Sequence, residues 1–344
     1  MTLIVDGTSG VTFNDSSLQG AAASPYVLKN RIINGDMRID QRNAGASVTP
    51  TNGQYVLDRW INYQSVASKY SIQQNAGSVT PPVGFSNYAG ITSLSSYTVG
   101  AADYFTFEQT LEGFNVADLG WGTANAKTVI LSFWVRSSLT GTFGGVLYAS
   151  TGTLSYPFSY SISAANTWTQ ISVTITGPTT GTFATNNTAS FTLCFGIGIG
   201  STYSGTAGSW QASVLRSVTG ATSVVGTNGA TWYVTGVQLE IGSSATPFER
   251  RLYNQELANC QRYFEISGAT GATGNPNYHG TLYDPTSTLY LGQVQFQVTK
   301  RTAPTITSGA GSTGTVGVIG ISSFYFTRSA AAAYLTYWTA SAEL

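Results

Sequence analysis

Charge is scarce in this chain. Asp, Glu, Lys and Arg make up 9% of its 344 residues, against about 25% in an average soluble protein. Fifteen basic residues balance fifteen acidic ones, so the formal net charge is zero. Nucleic-acid binding draws on a basic face that neutralises phosphates. Arg250, Arg251 and Arg262 lie close together but make no such face, so no nucleic-acid partner is expected. Solubility falls to Gly, Ser, Thr, Asn and Gln, residues that suit dense packing between chains. The missing net charge also removes a self-repulsion that keeps many proteins monomeric.

Histidine is nearly absent. The single one, His279, sits in Asn277-Tyr278-His279-Gly280, and any Ser-His-Asp or Cys-His arrangement would depend on it alone. Its surroundings read as a loop and no Gly-x-Ser-x-Gly elbow accompanies it, so it is expected to be a surface residue. The two cysteines, Cys194 and Cys260, fall in a strand-like and a helix-like run. They lack metal-ligand spacing and are expected to be free buried thiols in a reducing compartment. No run of about 18 apolar residues occurs, so no membrane span is expected. Met1 to Gly10 has no basic stretch followed by an apolar one, so no secretory signal is expected. No phosphate loop, zinc cluster or dinucleotide fingerprint is present, and no catalytic residue is assigned. The expectation is a protein that is not an enzyme.

What the chain does have is apolar and aromatic material, 42% and 12% of residues. That is too much for a disordered chain and enough for two or three domains at roughly 100–200 residues each. From Arg31 to about Ile241 the pattern has period 2. Val129, Leu131, Phe133 and Val135 alternate with Ile130, Ser132, Trp134 and Arg136. Ile171, Val173 and Ile175 share one face, as do Phe191, Leu193, Phe195, Ile197 and Ile199, and as do Val237, Leu239 and Ile241. Alternation with β-branched and aromatic enrichment predicts half-buried strands. The Gly/Thr/Ser/Asn clusters between them predict an antiparallel β-sandwich. Opposite Phe191 to Ile199 stand Thr192, Cys194, Gly196 and Gly198. A face so small admits a close neighbour, either inside the sandwich or across a chain interface.

The fold class that follows is mostly β, with four parts. Residues 1–30 form a short, turn-rich β foot for attachment or oligomerisation. Residues 31–246 form the jelly-roll-like sandwich. Thr246-Pro247-Phe248-Glu249 carries an N-cap, a proline and an acid in the order that opens a helix, which predicts a connector at 247–265, helical from Arg250 to Phe264 with an interruption near Asn254. Residues 266–344 form a smaller C-terminal β domain, with strands at 288–298, 315–322, 324–328 and 334–340.

The carboxylates offer few sites. Glu108 and Glu112 share a strand face at i and i+4, roughly 13 Å apart, whereas a glycosidase pair needs about 5–10 Å. They read as a solvated strand face. Asp36, Asp40 and Asp58 stand beside Arg38, Arg42 and Arg59, where Arg–carboxylate pairing is the ordinary use. A structural calcium there is the one cofactor left open. Twenty tyrosines and seven tryptophans are the remaining asset, because a pyranose presents an apolar C–H face to a flat ring. Tyr278, Tyr283 and Tyr290, in and beside a Gly/Asn/Pro/Thr-rich loop, together with Trp121 and Trp210, are the candidate saccharide contacts.

Several stretches resemble a widespread group of phage and prophage tail-fibre-like proteins. Asn30-Arg31-Ile32-Ile33-Asn34-Gly35-Asp36-Met37-Arg38-Ile39-Asp40-Gln41-Arg42 and Tyr55-Val56-Leu57-Asp58-Arg59-Trp60 resemble that group's opening. Gly236-Val237-Gln238-Leu239-Glu240-Ile241-Gly242, Ala245-Thr246-Pro247-Phe248-Glu249-Arg250-Arg251 and Cys260-Gln261-Arg262-Tyr263-Phe264 resemble its closing part. Val11 to Gln19 is similar to a phage-fibre foot, with Ser16-Ser17 in place of Gly-Thr. Lys300 to Ile306 and Ala340 to Leu344 look like the same group. The stretch from Ile130 to Leu239 is similar to jelly-roll carbohydrate-binding modules. The resemblance implies a virion protein, made in a host bacterial cytoplasm without a secretion signal and assembled as a homotrimer. It would join other virion proteins through residues 1–30 and contact a host-surface glycan as a tail-fibre subunit. A capsid fibre or decoration protein, or a polysaccharide depolymerase, would fit the same fold.

Overall fold

The computed structural model describes residues 4–6, 10–12, 18–19, 29–267, 281–282, 290–308, 315–328 and 337–344. The first six of those residues and 18–19 form three short antiparallel strands, β1 (Ile4–Asp6), β2 (Gly10–Thr12) and β3 (Leu18–Gln19). The body is a sandwich of two sheets. One contains β4 (Gln54–Leu57), β5 (Trp60–Gln64), β8 (Tyr104–Glu112), β10 (Gly141–Ala149), β11 (Ser155–Ile162) and β13 (Ala189–Ile199). The other contains β6 (Tyr70–Gln74), β7 (Ala89–Ser93), β9 (Val129–Ser137), β12 (Thr169–Ile175) and β16 (Thr231–Ile241). The orders are β11-β10-β13-β8-β5-β4 and β12-β9-β16-β7-β6. Chain order crosses repeatedly from one sheet to the other, as in a jelly roll.

Alternation places the core. Val129, Leu131, Phe133 and Val135 of β9 are buried, and so are Phe191, Leu193, Phe195 and Ile197 of β13. Aromatic rings fill the space between the sheets. Trp60 stacks on Phe107 with centroids 4.8 Å apart, and the Trp232 indole N–H donates to the Tyr160 hydroxyl at 3.0 Å. The small outward face of β13 is closed by the chain itself. The stretch 201–225, with β14 (Ser204–Gly205) and β15 (Ser217–Val218), lies over it. A Cβ on Gly196 would stand 2.9 Å from the Ser217 Cβ, so glycine is what lets this cover approach. Between the two uses open to that face, packing within one chain is the one found. Both thiols are buried and free.

Several of the stretches that resemble phage proteins meet one another. The buried Asn34 side chain accepts from Ile39 N–H at 2.9 Å and donates to the Ile39 and Asp58 carbonyls. The Trp60 indole donates to the Asn34 carbonyl at 3.0 Å. Arg59, 1% exposed, lies with its guanidinium 3.6 Å from the Tyr263 ring centroid and pairs with Glu343. The motif residues therefore build a joint between the sandwich, the helix and the last strand.

That helix is shorter than its sequence suggests: α1 spans Tyr253–Gln261, with Leu252 at its N-cap. Thr246-Pro247-Phe248-Glu249 does not open it. Thr246 donates to the Glu240 carboxylate at 2.7 Å, and Glu249 N–H donates to the Gln238 side chain at 2.7 Å. The Glu249 carboxylate accepts the N–H groups of Lys29 and Asn30. Buried polar groups on β16 thus claim the capping residues before the backbone can use them.

Beyond α1 the described C-terminal part is two small sheets. One is β17 (Phe264–Ile266), β23 (Trp338–Ser341) and β20 (Thr305–Ser308), and the other is β18 (Thr281–Leu282), β19 (Tyr290–Gln295), β22 (Ser323–Arg328) and β21 (Thr315–Ile319). Val294, Phe296, Phe324, Phe326, Trp338 and Ala340 form their core. Phe264, expected at the helix end, begins a strand, and β20 had no alternation to announce it.

Candidate functional site

Trp134 stands out of phase with the core of β9. Phe133 and Val135 on either side point inward, so its indole leaves through the outer face of the five-stranded sheet. Register places Gln170 of β12 and Thr235 of β16 beside it. The ladder between β16 and β9 is interrupted between Thr235 and Gln238, where Gly236 takes a positive φ of 63°. A Cβ on Gly236 would stand 2.6 Å from the Phe85 ring. The bulge therefore seats Phe85 directly against the sheet.

Phe85 ends the stretch Pro81-Pro82-Val83-Gly84-Phe85, turned by a Phe85 N–H bond to the Pro82 carbonyl at 3.0 Å. The Trp168 indole N–H holds the Thr80 carbonyl at 2.9 Å, and the Tyr88 hydroxyl holds that of Ala76 at 2.6 Å. These bonds fix the loop without using its exposed edge. Phe248, freed from helix capping, meets Phe85 edge-on at 5.2 Å. The Arg250 guanidinium lies 4.7 Å from the Phe85 centroid and 5.8 Å from that of Phe248. Together with Val83, Trp134 and Gln170 they bound an open cavity of 220 Å³.

Trp134, Phe85 and Phe248 are half-buried, while Val83, Gln170 and Arg250 are exposed. Behind the wall, burial raises the Asp36 pKa, opposed by Arg38 at 3.1 Å. No carboxylate lines the cavity itself. Flat apolar rings beside an amide and a guanidinium can hold a ring with one apolar face and a hydroxylated edge.

Of the residues singled out from sequence, Trp121 and Trp210 come together elsewhere. Their rings meet edge-on at 5.6 Å, in a cluster with Tyr156 and Phe183. Trp121 is 7% exposed and its indole N–H is bonded to the Lys127 carbonyl at 2.9 Å. Trp210 is half-buried, its N–H on the Thr176 carbonyl at 2.7 Å. Tyr290 begins β19, whereas Tyr278, Tyr283 and His279 lie outside the described residues. The Trp134 cavity was missed. Its one local signal is a large aromatic on the outward phase of a strand; Phe85, Phe248 and Arg250 arrive from loops remote in sequence.

The carboxylates are placed as follows. Glu108 and Glu112 are not a solvated face: they are 0% and 1% exposed. Glu108 accepts from Arg216 at 2.8 Å and from the Tyr148 hydroxyl at 2.6 Å. Glu112 accepts from Arg262 at 2.6 Å and from the Tyr263 hydroxyl. The cover formed by residues 201–225 seals the first pair, and the turn after α1 seals the second. Asp36 pairs with Arg38, and Asp40 accepts the N–H groups of Asn43 and Gly45. Asp58 accepts two bonds from Gln41, and burial pushes its pKa up to about 6. Among the described residues no group of three or more His, Cys, Asp or Glu is placed to hold a metal ion.

No protein-family model matches the chain, and no curated protein matches its sequence. Solved structures do resemble it in part. The enzymatically active domain of tailspike protein 4 from bacteriophage CBA120 aligns at 13% identity and a TM-score of 0.35, over 64% of this chain and 22% of that one. A family 61 carbohydrate-binding module in complex with β-1,4-galactotriose aligns at 9% identity and 0.32, over 62% and 99%. The family 11 carbohydrate-binding module of a Clostridium thermocellum cellulosomal cellulase aligns at 15% identity and 0.28, over 59% and 99%. The chain thus spans under a quarter of the tailspike domain and nearly the whole of each module.

Proposed function

We propose that this chain is a structural subunit of a bacteriophage particle, a tail-fibre protein that contacts a host-surface saccharide through the cavity around Trp134. The carrying observation is that cavity: three half-buried aromatic rings with Gln170 and Arg250 at the rim. Its volume, below the roughly 300–1,000 Å³ of drug-sized sites, suits one sugar ring at the end or side of a longer chain. The phage-like motifs support the particle context. Low charge and zero net charge support a homotrimer, with residues 1–30 as the attachment foot.

A single aromatic–sugar stack is worth about 1 kcal/mol, by analogy with aromatic pairs, so one site binds weakly. Trimers on a particle raise the effective affinity by about 10²–10⁴. The test replaces Trp134 with Ala and, as a matched variant, Trp210 with Ala. With melting temperatures unchanged, both are screened on an array of bacterial surface glycans. The expected result is a roughly fivefold loss of monovalent affinity for W134A alone. Loss in W210A with W134A unaffected would move the contact to the Trp121–Trp210 cluster and refute the cavity.

A further inference from the structure

We infer that the cavity takes an acidic sugar, one whose ring bears a carboxylate, and that Arg250 reads that group. The inference rests on the saccharide reading above and narrows it to a class. Its basis is how arginines are used in a chain with so few charges. Arg31 pairs with Asp118, Arg38 with Asp36, Arg216 with Glu108 and Arg262 with Glu112. Arg42 and Arg59 share Glu343, and Arg251 takes both Glu249 and Glu256. Arg136 and Arg301 donate to backbone carbonyls. Among the arginines whose side chains are described, only Arg250 has no hydrogen-bond acceptor and no ion-pair partner.

Arg250 is also held in a defined place. Its guanidinium rests on the rings of Phe85 and Phe248, which fixes the plane of the group and leaves its edge N–H donors unspent. The acids nearby are already committed: Asp36 to Arg38, Glu249 to Lys29 N–H, Asn30 N–H and Arg251, Glu256 to Arg251 and Asn34 N–H. A planar fork with free donors matches a carboxylate through two parallel hydrogen bonds. No carboxylate lines the cavity, and Asp36 behind it, which feels the Arg250 charge, has its ion pair with Arg38. The sugar's C–H face would lie on the aromatic wall, Gln170 would take hydroxyls, and the carboxylate would meet Arg250.

The test uses the full chain and two probes built on the same sugar, a galacturonic-acid trisaccharide and its fully methyl-esterified form, in which each carboxylate becomes a neutral ester, by calorimetry. The wild type should bind the free acid about tenfold more tightly than the ester, the scale of a hydrogen bond to a charged group, and added salt should narrow the gap. R250Q should lose the preference and bind acid and ester alike; R250K, which keeps charge without the fork, should retain part of it. Equal binding of acid and ester by the wild type, an undiminished preference in R250Q, or binding of neither probe would overturn the inference. The broader saccharide reading is judged separately, by W134A on the glycan array, and survives if neutral glycans there depend on Trp134.

Discussion

On the six-stranded sheet the outward carboxylate of Glu108 is sealed beneath Arg216 and Tyr148, while on the five-stranded sheet the outward Trp134 lines an open cavity. Both residues sit on strands whose inward neighbours fill one shared core, so alternation alone does not distinguish them. What differs is the chain that returns over each face. Residues 201–225 lie flat on β10 and β13 and bring an arginine to the buried acid. Residues 79–86 and 246–250 instead stop at the edge of Trp134 and leave their rings and an unspent guanidinium around a gap. The first face is finished by the fold, and the second leaves a cavity open.

The largest expected effect tests that division. E108A would strand a largely buried Arg216 and the Tyr148 hydroxyl, and removing one member of a buried pair costs about 3–5 kcal/mol. Arg216 keeps 20% side-chain exposure, which puts the expectation near 3 kcal/mol in urea unfolding. Q170A, at the rim of the open face, should change stability by less than about 0.5 kcal/mol. Comparable losses from the two would mean that the faces are not different in kind.

Glycines give the next contrast. G236A forces a side chain into the left-handed region, which costs about 1–2 kcal/mol, and directs its Cβ at Phe85. Both stability and glycan binding should fall. G196A sits under the cover, where a Cβ meets Ser217, and overpacking of that kind costs about 1–3 kcal/mol. Binding per folded molecule should be unchanged. A G236A variant that binds as well as the wild type would show that the bulge does not shape the cavity.

The same contrast explains what could be read in advance. The sandwich strands were legible because period 2 is local: Phe133 and Phe195 declare their side within a few residues. The burial of Glu108 was not, because its cover comes from Arg216 and Ser217, about a hundred residues on. The helix was found but started too early, since Thr246 and Glu249 carry good capping chemistry that Glu240 and Gln238 outbid. Within the stretches that resemble phage proteins, Asn34, Arg59 and Trp60 build a structural joint. The candidate site was half legible. Trp134 was visible as an aromatic in an outward phase, but no spacing in the sequence relates it to Phe85, Phe248 and Arg250.

Tyr148 gives the smallest effect and the one with a signed pH dependence. Its hydroxyl donates to Glu108 at 2.6 Å and accepts from Arg216 at 2.8 Å. Y148F deletes both bonds but leaves the ion pair, so about 1 kcal/mol should be lost at neutral pH. Burial first, then the Glu108 charge, holds this phenol well above its ordinary pKa. A proton held more tightly in the folded state stabilises that state fully below the unfolded pKa of about 10, and the contribution fades as pH rises through the folded value. The wild type should therefore lose stability above about pH 10 through this group, while Y148F has no such term. The gap between them, near 1 kcal/mol at neutral pH, should close and then change sign by about pH 11 in urea titrations. Other buried tyrosines, Tyr70 and Tyr160 among them, are shared by both proteins and cancel in the difference. Tyr63, half-buried beside the same Arg216, serves as the comparison: burial and then the Glu108 charge raise its pKa too, but it gives Glu108 no hydrogen bond, so the gap for Y63F should move less. A gap that stays constant with pH for Y148F, or that moves equally for Y63F, would mean that the Tyr148 hydroxyl is not sealed in, and the covered face would be more open than its geometry implies.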